Sequence, residues 1–178
     1  MNRKKILISI ILILILSLLF ILGKNYLPFP KQKKEQITTG VNPGNKAPDF
    51  TLESLYGKKI KLSTLQGKKV FLNFWASWCG PCRSEMPDIE KLNENYNKIE
   101  ILTVNIKEEK KKVLDFIMTK GYTFPVFLDK DGKVSNMYQA RGIPTTYIID
   151  EQGTIRARHT GILDYSKMKE LLNLENVK

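Results

Sequence analysis

The sequence predicts an α/β domain, a central sheet covered by helices on both faces, carried behind one apolar N-terminal helix. Three observations lead there. From Phe50 onward, short runs of strand character alternate with stretches of helical periodicity, the pattern of a layered α/β fold. Val70–Trp75 (VFLNFW) is apolar almost without interruption, as a strand buried on both faces must be. Ile6–Leu22 is an uncharged run of Ile, Leu, Ser and Phe.

The N-terminal run comes first. As a helix, seventeen residues reach about 25 Å, near the lower limit for crossing a bilayer. The run exceeds the usual apolar core of a cleaved signal, and Gly23-Lys24-Asn25-Tyr26-Leu27-Pro28 offers no small-x-small cleavage site. We read it as a retained signal anchor, with a cleaved signal as the alternative. No cysteine precedes position 79, which excludes lipoprotein-type anchoring, and there is no twin arginine. Basic residues flank both ends: Arg3, Lys4 and Lys5 before the run, Lys24, Lys31, Lys33 and Lys34 after it. The short basic segment ahead of the apolar run copies a signal peptide, so the N-terminus is assigned to the cytoplasm and the domain to the extracytoplasmic side of a bacterial membrane. Pro28, Pro30, Pro43 and several lysines mark a tether. The expected organisation is 1–23 anchor, 24–43 tether and 44–178 domain.

Within the domain, Phe50–Glu53 and Lys59–Leu62 read as strands around the turn Leu55-Tyr56-Gly57-Lys58. The buried strand Val70–Trp75 follows. A helix from Pro81 to about Asn97 places Met86, Ile89, Leu92 and Tyr96 on one face, with Pro87 expected to kink it. Ile99–Ile106 is a strand. Glu108–Lys120 is a helix with acids at its start and Gly121 as its stop. Pro125–Leu128 is a strand, Val134–Gln139 a short helix, and Thr145–Ile149 and Thr154–Arg158 are strands joined at Asp150–Gly153. Tyr165–Leu172 closes the chain as a helix. Met86 and Met137 are expected in the core, and Lys110–Lys112 on a solvated helix face paired with Glu108 and Glu109.

Composition removes several function classes. The chain has 178 residues, 42% hydrophobic and 10% aromatic, which excludes global disorder. Two cysteines cannot build a multi-disulfide scaffold or a four-cysteine zinc site, and one histidine cannot build a His-rich metal centre. That histidine, His159, reads as a strand or surface residue. The net charge of +11 is concentrated before position 40 and is not interleaved with aromatics, so no nucleic-acid partner is expected. No metal is expected either.

The chemistry lies in Trp78-Cys79-Gly80-Pro81-Cys82, where the buried strand ends and a helix begins. Unpaired N–H groups and the helix dipole favour an anion there, so Cys79 should be the more acidic thiol. Pro81 in the first turn needs no N–H and has its backbone angle preset. Cys82 faces inward and can close a disulfide with Cys79. The expected chemistry is thiolate exchange, with Cys79 forming the mixed disulfide and Cys82 resolving it.

Phe74-Trp75-Ala76-Ser77-Trp78-Cys79-Gly80-Pro81-Cys82 resembles the active-site segment of thioredoxin-fold proteins. Arg141-Gly142-Ile143-Pro144-Thr145 resembles their second landmark, the loop with a cis-proline. Gly44-Asn45-Lys46-Ala47-Pro48-Asp49-Phe50 is similar to the opening of the membrane-anchored ResA/TlpA branch and of the peroxiredoxins within the AhpC/TSA redoxins. The resemblance implies a thioredoxin fold: a mixed sheet flanked by helices, with an N-terminal β-hairpin and an inserted strand-helix unit. It also implies that Pro144 is cis and faces the cysteines, that Ile143 offers backbone groups to an extended substrate, and that Trp78 flanks the nucleophile. From position alone, Trp78 could equally cover the end of the sheet. Gly80 and Pro81 would tune the potential. In that branch a glutamate placed as Glu85 is linked to active-site acid–base behaviour. Burial would raise its pKa and suit it to proton transfer, whereas periodicity alone equally permits a solvated helix glutamate. Asn73 stands where thioredoxins carry a buried acid, and Gly80 where the branch often carries one.

The implied function is an extracytoplasmic thiol-disulfide oxidoreductase with no cofactor beyond its cysteine pair. It would reduce protein disulfides such as the Cys-x-x-Cys-His haem site of an apocytochrome c, with electrons from a CcdA-like membrane thiol carrier. A disulfide reductase of spore-envelope assembly is an alternative, and so is a disulfide oxidase. The Gly-Pro pair resembles thioredoxin, near −270 mV, more than DsbA, near −120 mV. A thiol peroxidase needs Thr three residues before its cysteine, where Ala76 stands. A copper-binding assembly factor would want wider cysteine spacing.

Overall fold

The computed structural model describes residues 3–26 and 38–174, which form two separate units. The first is a single helix, α1 (Arg3–Tyr26), whose apolar side chains from Ile6 to Leu22 are exposed. It is long and apolar enough to cross a membrane.

The second unit is one seven-stranded mixed sheet in the order β2-β1-β5-β4-β3-β6-β7. Its strands are β1 (Thr51–Ser54), β2 (Lys59–Lys61), β3 (Lys69–Trp75), β4 (Ile99–Ile106), β5 (Val126–Asp129), β6 (Thr145–Ile149) and β7 (Ile155–Thr160). β3, β4 and β5 run parallel, and β6 pairs antiparallel to β3. The first two strands form the N-terminal hairpin on β5. The helices are α2 (Gly80–Asn95), α3 (Lys110–Lys120), α4 (Lys133–Met137) and α5 (Tyr165–Leu171). β5 and α4 are the strand-helix unit inserted between α3 and β6.

β3 explains its own composition. Phe71 and Trp75 pack with Met86, Ile89 and Leu92 of α2, Val113 and Ile117 of α3 and Met168 of α5. Leu72 and Phe74 point the other way, into a cluster with Phe50, Val134, Tyr138 and Tyr147. A strand buried on both faces cannot alternate, and each such side chain contributes about 1.5–3 kcal/mol. This central strand delivers the cysteine loop, so the site sits on the most deeply packed element.

Several element ends differ from the sequence expectation. α3 starts at Lys110 rather than Glu108, because Glu109 is extended (φ −69°, ψ 137°) and the Glu108 carboxylate is turned toward the cysteine loop. Lys112 does pair with Glu108, but Lys111 pairs with Asp115. Gly121 ends α3 at φ 70°, its N–H bonded to the carbonyls of Ile117 and Met118. α2 continues through Pro87 to Asn95. Met137 is exposed at the end of α4, where Val134 and Tyr138 take the inward positions. Residues 27–37 of the expected tether lie outside the described residues. Lys24–Tyr26 continue α1, whereas 38–43 already belong to the domain. Lys46 N–H donates to the Thr38 carbonyl, Gly40 N–H to that of Lys46, and Val41 is buried.

Candidate active site

β3 ends at Trp75, which is buried, and the chain reverses through Ala76–Cys79 with Cys79 N–H donating to the Ala76 carbonyl at 3.2 Å. Cys79 is the N-cap of α2, and the Cys82 N–H points at its sulfur at 3.1 Å. An N-terminal N–H aimed at Sγ is the local reason that a thiolate is favoured there. Pro81 occupies the first turn. Cys79 and Cys82 are joined in a disulfide. Cys82 has no solvent exposure and Cys79 is 5% exposed, so only the N-cap sulfur has an edge toward a partner. Around Gly80 lies open space, and a side chain would meet nothing within 4 Å.

The second loop closes against the first. Ile143–Pro144 is cis, and the Ile143 carbonyl oxygen lies 3.5 Å from Cys79 Sγ. The Pro144 carbonyl accepts the Gly161 N–H at 2.9 Å, which ties this loop to the end of β7. Trp78 is 62% exposed, so it stands out beside the disulfide and does not cover the sheet.

Glu85 is 1% exposed, three residues after Cys82 on α2. One carboxylate oxygen accepts from Asn73 Nδ2 at 2.7 Å, the other from the Leu163 N–H at 3.0 Å. Burial pushes its pKa up to about 7, against those two hydrogen bonds, and the Asp88 charge adds to the rise. Asn73, in the middle of β3, also donates to Thr146 Oγ1 at 3.0 Å. The amide in the strand therefore serves the glutamate. An acid at position 73 would set two carboxyls against each other. His159 is half-buried on β7, in register with Thr146.

A second buried glutamate escaped sequence reasoning. The carboxylate of Glu108 accepts from the Ser77 N–H at 2.6 Å, the Ser77 hydroxyl at 2.7 Å and Asn105 Nδ2 at 2.8 Å, and it pairs with Lys112 Nζ at 2.9 Å. Burial pushes its carboxyl up, but the Ser77 and Asn105 donors and Lys112 outweigh that and hold it below the usual carboxylate range. Its place directly after β4, in a parallel strand whose C-terminal end faces the cysteine loop, was the one signal available.

Comparison with known proteins agrees with this arrangement. Residues 43–158 match the AhpC/TSA family. The chain is 43% identical over 147 residues to the thioredoxin-like protein YneN of Bacillus subtilis, covering 80% of this chain and 84% of that one. It is 41% identical over 142 residues to the thiol-disulfide oxidoreductase ResA of Geobacillus thermodenitrificans, covering 79% and 80%. Among solved structures, a Chlorobium tepidum protein assigned as thiol:disulfide interchange protein DsbE superposes with a TM-score of 0.69 at 31% identity, over 75% of this chain and 97% of that one.

Proposed function

Because the chain belongs to the AhpC/TSA family, as a thiol-disulfide oxidoreductase of the ResA and DsbE type, we propose that it reduces protein disulfides on the outer face of a bacterial membrane. One observation carries the reading. A single partly accessible sulfur, Cys79, has the exposed Trp78 next to it in the chain and the Ile143 carbonyl at 3.5 Å, and Glu85, three residues beyond Cys82 on α2, is a buried acid with a pKa near neutrality.

The reaction starts from the dithiol. The Cys79 thiolate attacks a substrate disulfide, forming a mixed disulfide and releasing one substrate thiolate. Glu85 takes the Cys82 proton, and the Cys82 thiolate attacks Cys79 Sγ. The Cys79–Cys82 disulfide forms and the second substrate thiolate leaves. Two electrons pass to the substrate. A buried carboxyl titrating near 7 is matched to that proton transfer. Trp78, Ile143 and Pro144 receive the substrate chain, and Gly80 and Pro81 set the potential. The substrate proposed is the Cys-x-x-Cys-His haem site of an apocytochrome c. The electron donor proposed is a CcdA-like membrane thiol carrier, and residues 1–23 serve as the anchor.

Trapping tests this directly. The Cys82→Ser chain, incubated with an oxidised Cys-x-x-Cys-His peptide, should accumulate a mixed disulfide through Cys79. The Cys79→Ser chain should capture none. Capture by the Cys79→Ser chain alone would reverse the two roles, and capture by neither would remove this peptide class as substrate.

A further inference from the structure

We propose that Glu108 is a positioning residue for the nucleophile, acting through Ser77 to fix the turn that presents Cys79. The turn Ala76–Cys79 is the only link between β3 and α2, and its two ends are held by different elements. Trp75 is locked in the core, and Cys79 is committed to the N-terminus of α2. Between them, Ser77 is buried and makes neither of its polar contacts within the turn. Its N–H and its hydroxyl both donate to the two oxygens of one carboxylate, that of Glu108.

That carboxylate belongs to the β4–α3 connection, 31 residues away in sequence. It is anchored there by Asn105, which pairs in register with Trp75, and by Lys112 on the first turns of α3. A two-point contact on Ser77 fixes rotation as well as position. Trp78 therefore projects into solvent while Cys79 Sγ meets the Cys82 N–H and the Ile143 carbonyl. Without the clamp, the buried N–H and hydroxyl of Ser77 have no other partner among the described residues, and the turn must move to satisfy them.

The inference rests on the reading of Cys79 as nucleophile, and its test separates the two. The measurement is the rate of iodoacetamide alkylation at Cys79 in the reduced full-length chain, alongside insulin-disulfide reduction, for folded variants. Ser77→Ala and Glu108→Gln should each change both rates roughly ten-fold or more, since ångström-scale misplacement has effects of that size. Ser77→Thr keeps the hydroxyl and should stay within about three-fold of wild type by the same argument. The Ser77→Ala/Glu108→Gln double variant should be no worse than the worse single, because the two act as one unit. If the singles leave both rates unchanged while lowering only the melting temperature, or if their effects multiply in the double, the positioning role is overturned. If Cys82 is alkylated ahead of Cys79 in the wild type, the nucleophile assignment falls, and the clamp's role with it.

Discussion

Glu85 and Glu108 are both buried at the cysteine end of the sheet, and their carboxyls are driven in opposite directions. Glu85 has two neutral donors, one amide and one backbone N–H, and no cation in contact among the described residues. Burial prevails, and its pKa rises to about 7. Glu108 has three donors and a lysine, and it stays below the ordinary carboxylate range. Burial by itself therefore does not decide what an acid can do. The number and charge of its partners make one a titrating group and the other a fixed anion. The difference matches the two places. In the proposed mechanism Glu85 moves a proton for Cys82, whereas in the proposed clamp Glu108 holds the Ser77 turn still.

The largest effect should come from the titrating member. Glu85→Gln should slow resolution of the mixed disulfide by roughly 10²-fold or more, the scale of a lost general base. It should also remove the ionisation near 7 from the pH–rate profile. An unchanged profile would leave Glu85 as a structural group.

Stability against pH separates the pair next. For Glu85 the folded-state pKa lies above its ordinary 4.5, so its neutral form favours the fold fully below that value. That contribution, up to roughly 3 kcal/mol, is lost as pH rises through about 7. Denaturant unfolding of the oxidised domain should therefore show Glu85→Gln gaining stability relative to wild type between pH 5 and pH 8. For Glu108 the folded-state pKa is depressed. Its contribution is present above the ordinary value and lost as pH falls through the lowered one, so Glu108→Ala should cost about 1–3 kcal/mol at pH 7 and less in acid. If both variants showed the same pH trend, the contrast would fail.

Smaller changes sharpen it. Asn73→Leu removes the donor to one Glu85 oxygen and should move the Glu85 titration further upward, read by carboxyl NMR. Lys112→Ala should change stability by less than about 1 kcal/mol, because its side chain is 59% exposed and its charge screened.

The legible parts of this molecule were local. β3 could be read because a strand buried on both faces has no alternation, and the cysteine motif because the strand-to-helix junction is written in consecutive residues. β4 and β6 were expected at the spans they occupy. The sequence puts the start of α3 two residues early because Glu108 looks like a helix-opening acid until the cysteine loop is folded beside it. The sequence leaves Glu85 open for a related reason. Spacing places it on the Cys82 side of α2, but its burial comes from β3 and from Leu163, far away in sequence. Residues 38–43 look like linker because their partners, Asn45 and Lys46, lie across a turn that is itself held by Ile155 of the edge strand β7. Each glutamate owes part of its character to a distant contact, Glu85 to the Leu163 N–H and Glu108 to Ser77, which no short window of sequence contains.

Whether the dithiol is poised to reduce is decided by the reduction potential of the Cys79–Cys82 couple. It can be measured on residues 38–178 in dithiothreitol and glutathione buffers by Trp fluorescence. A reductant should show a value below about −230 mV, whereas a value above about −150 mV would make the protein a disulfide donor and rule out the reducing role.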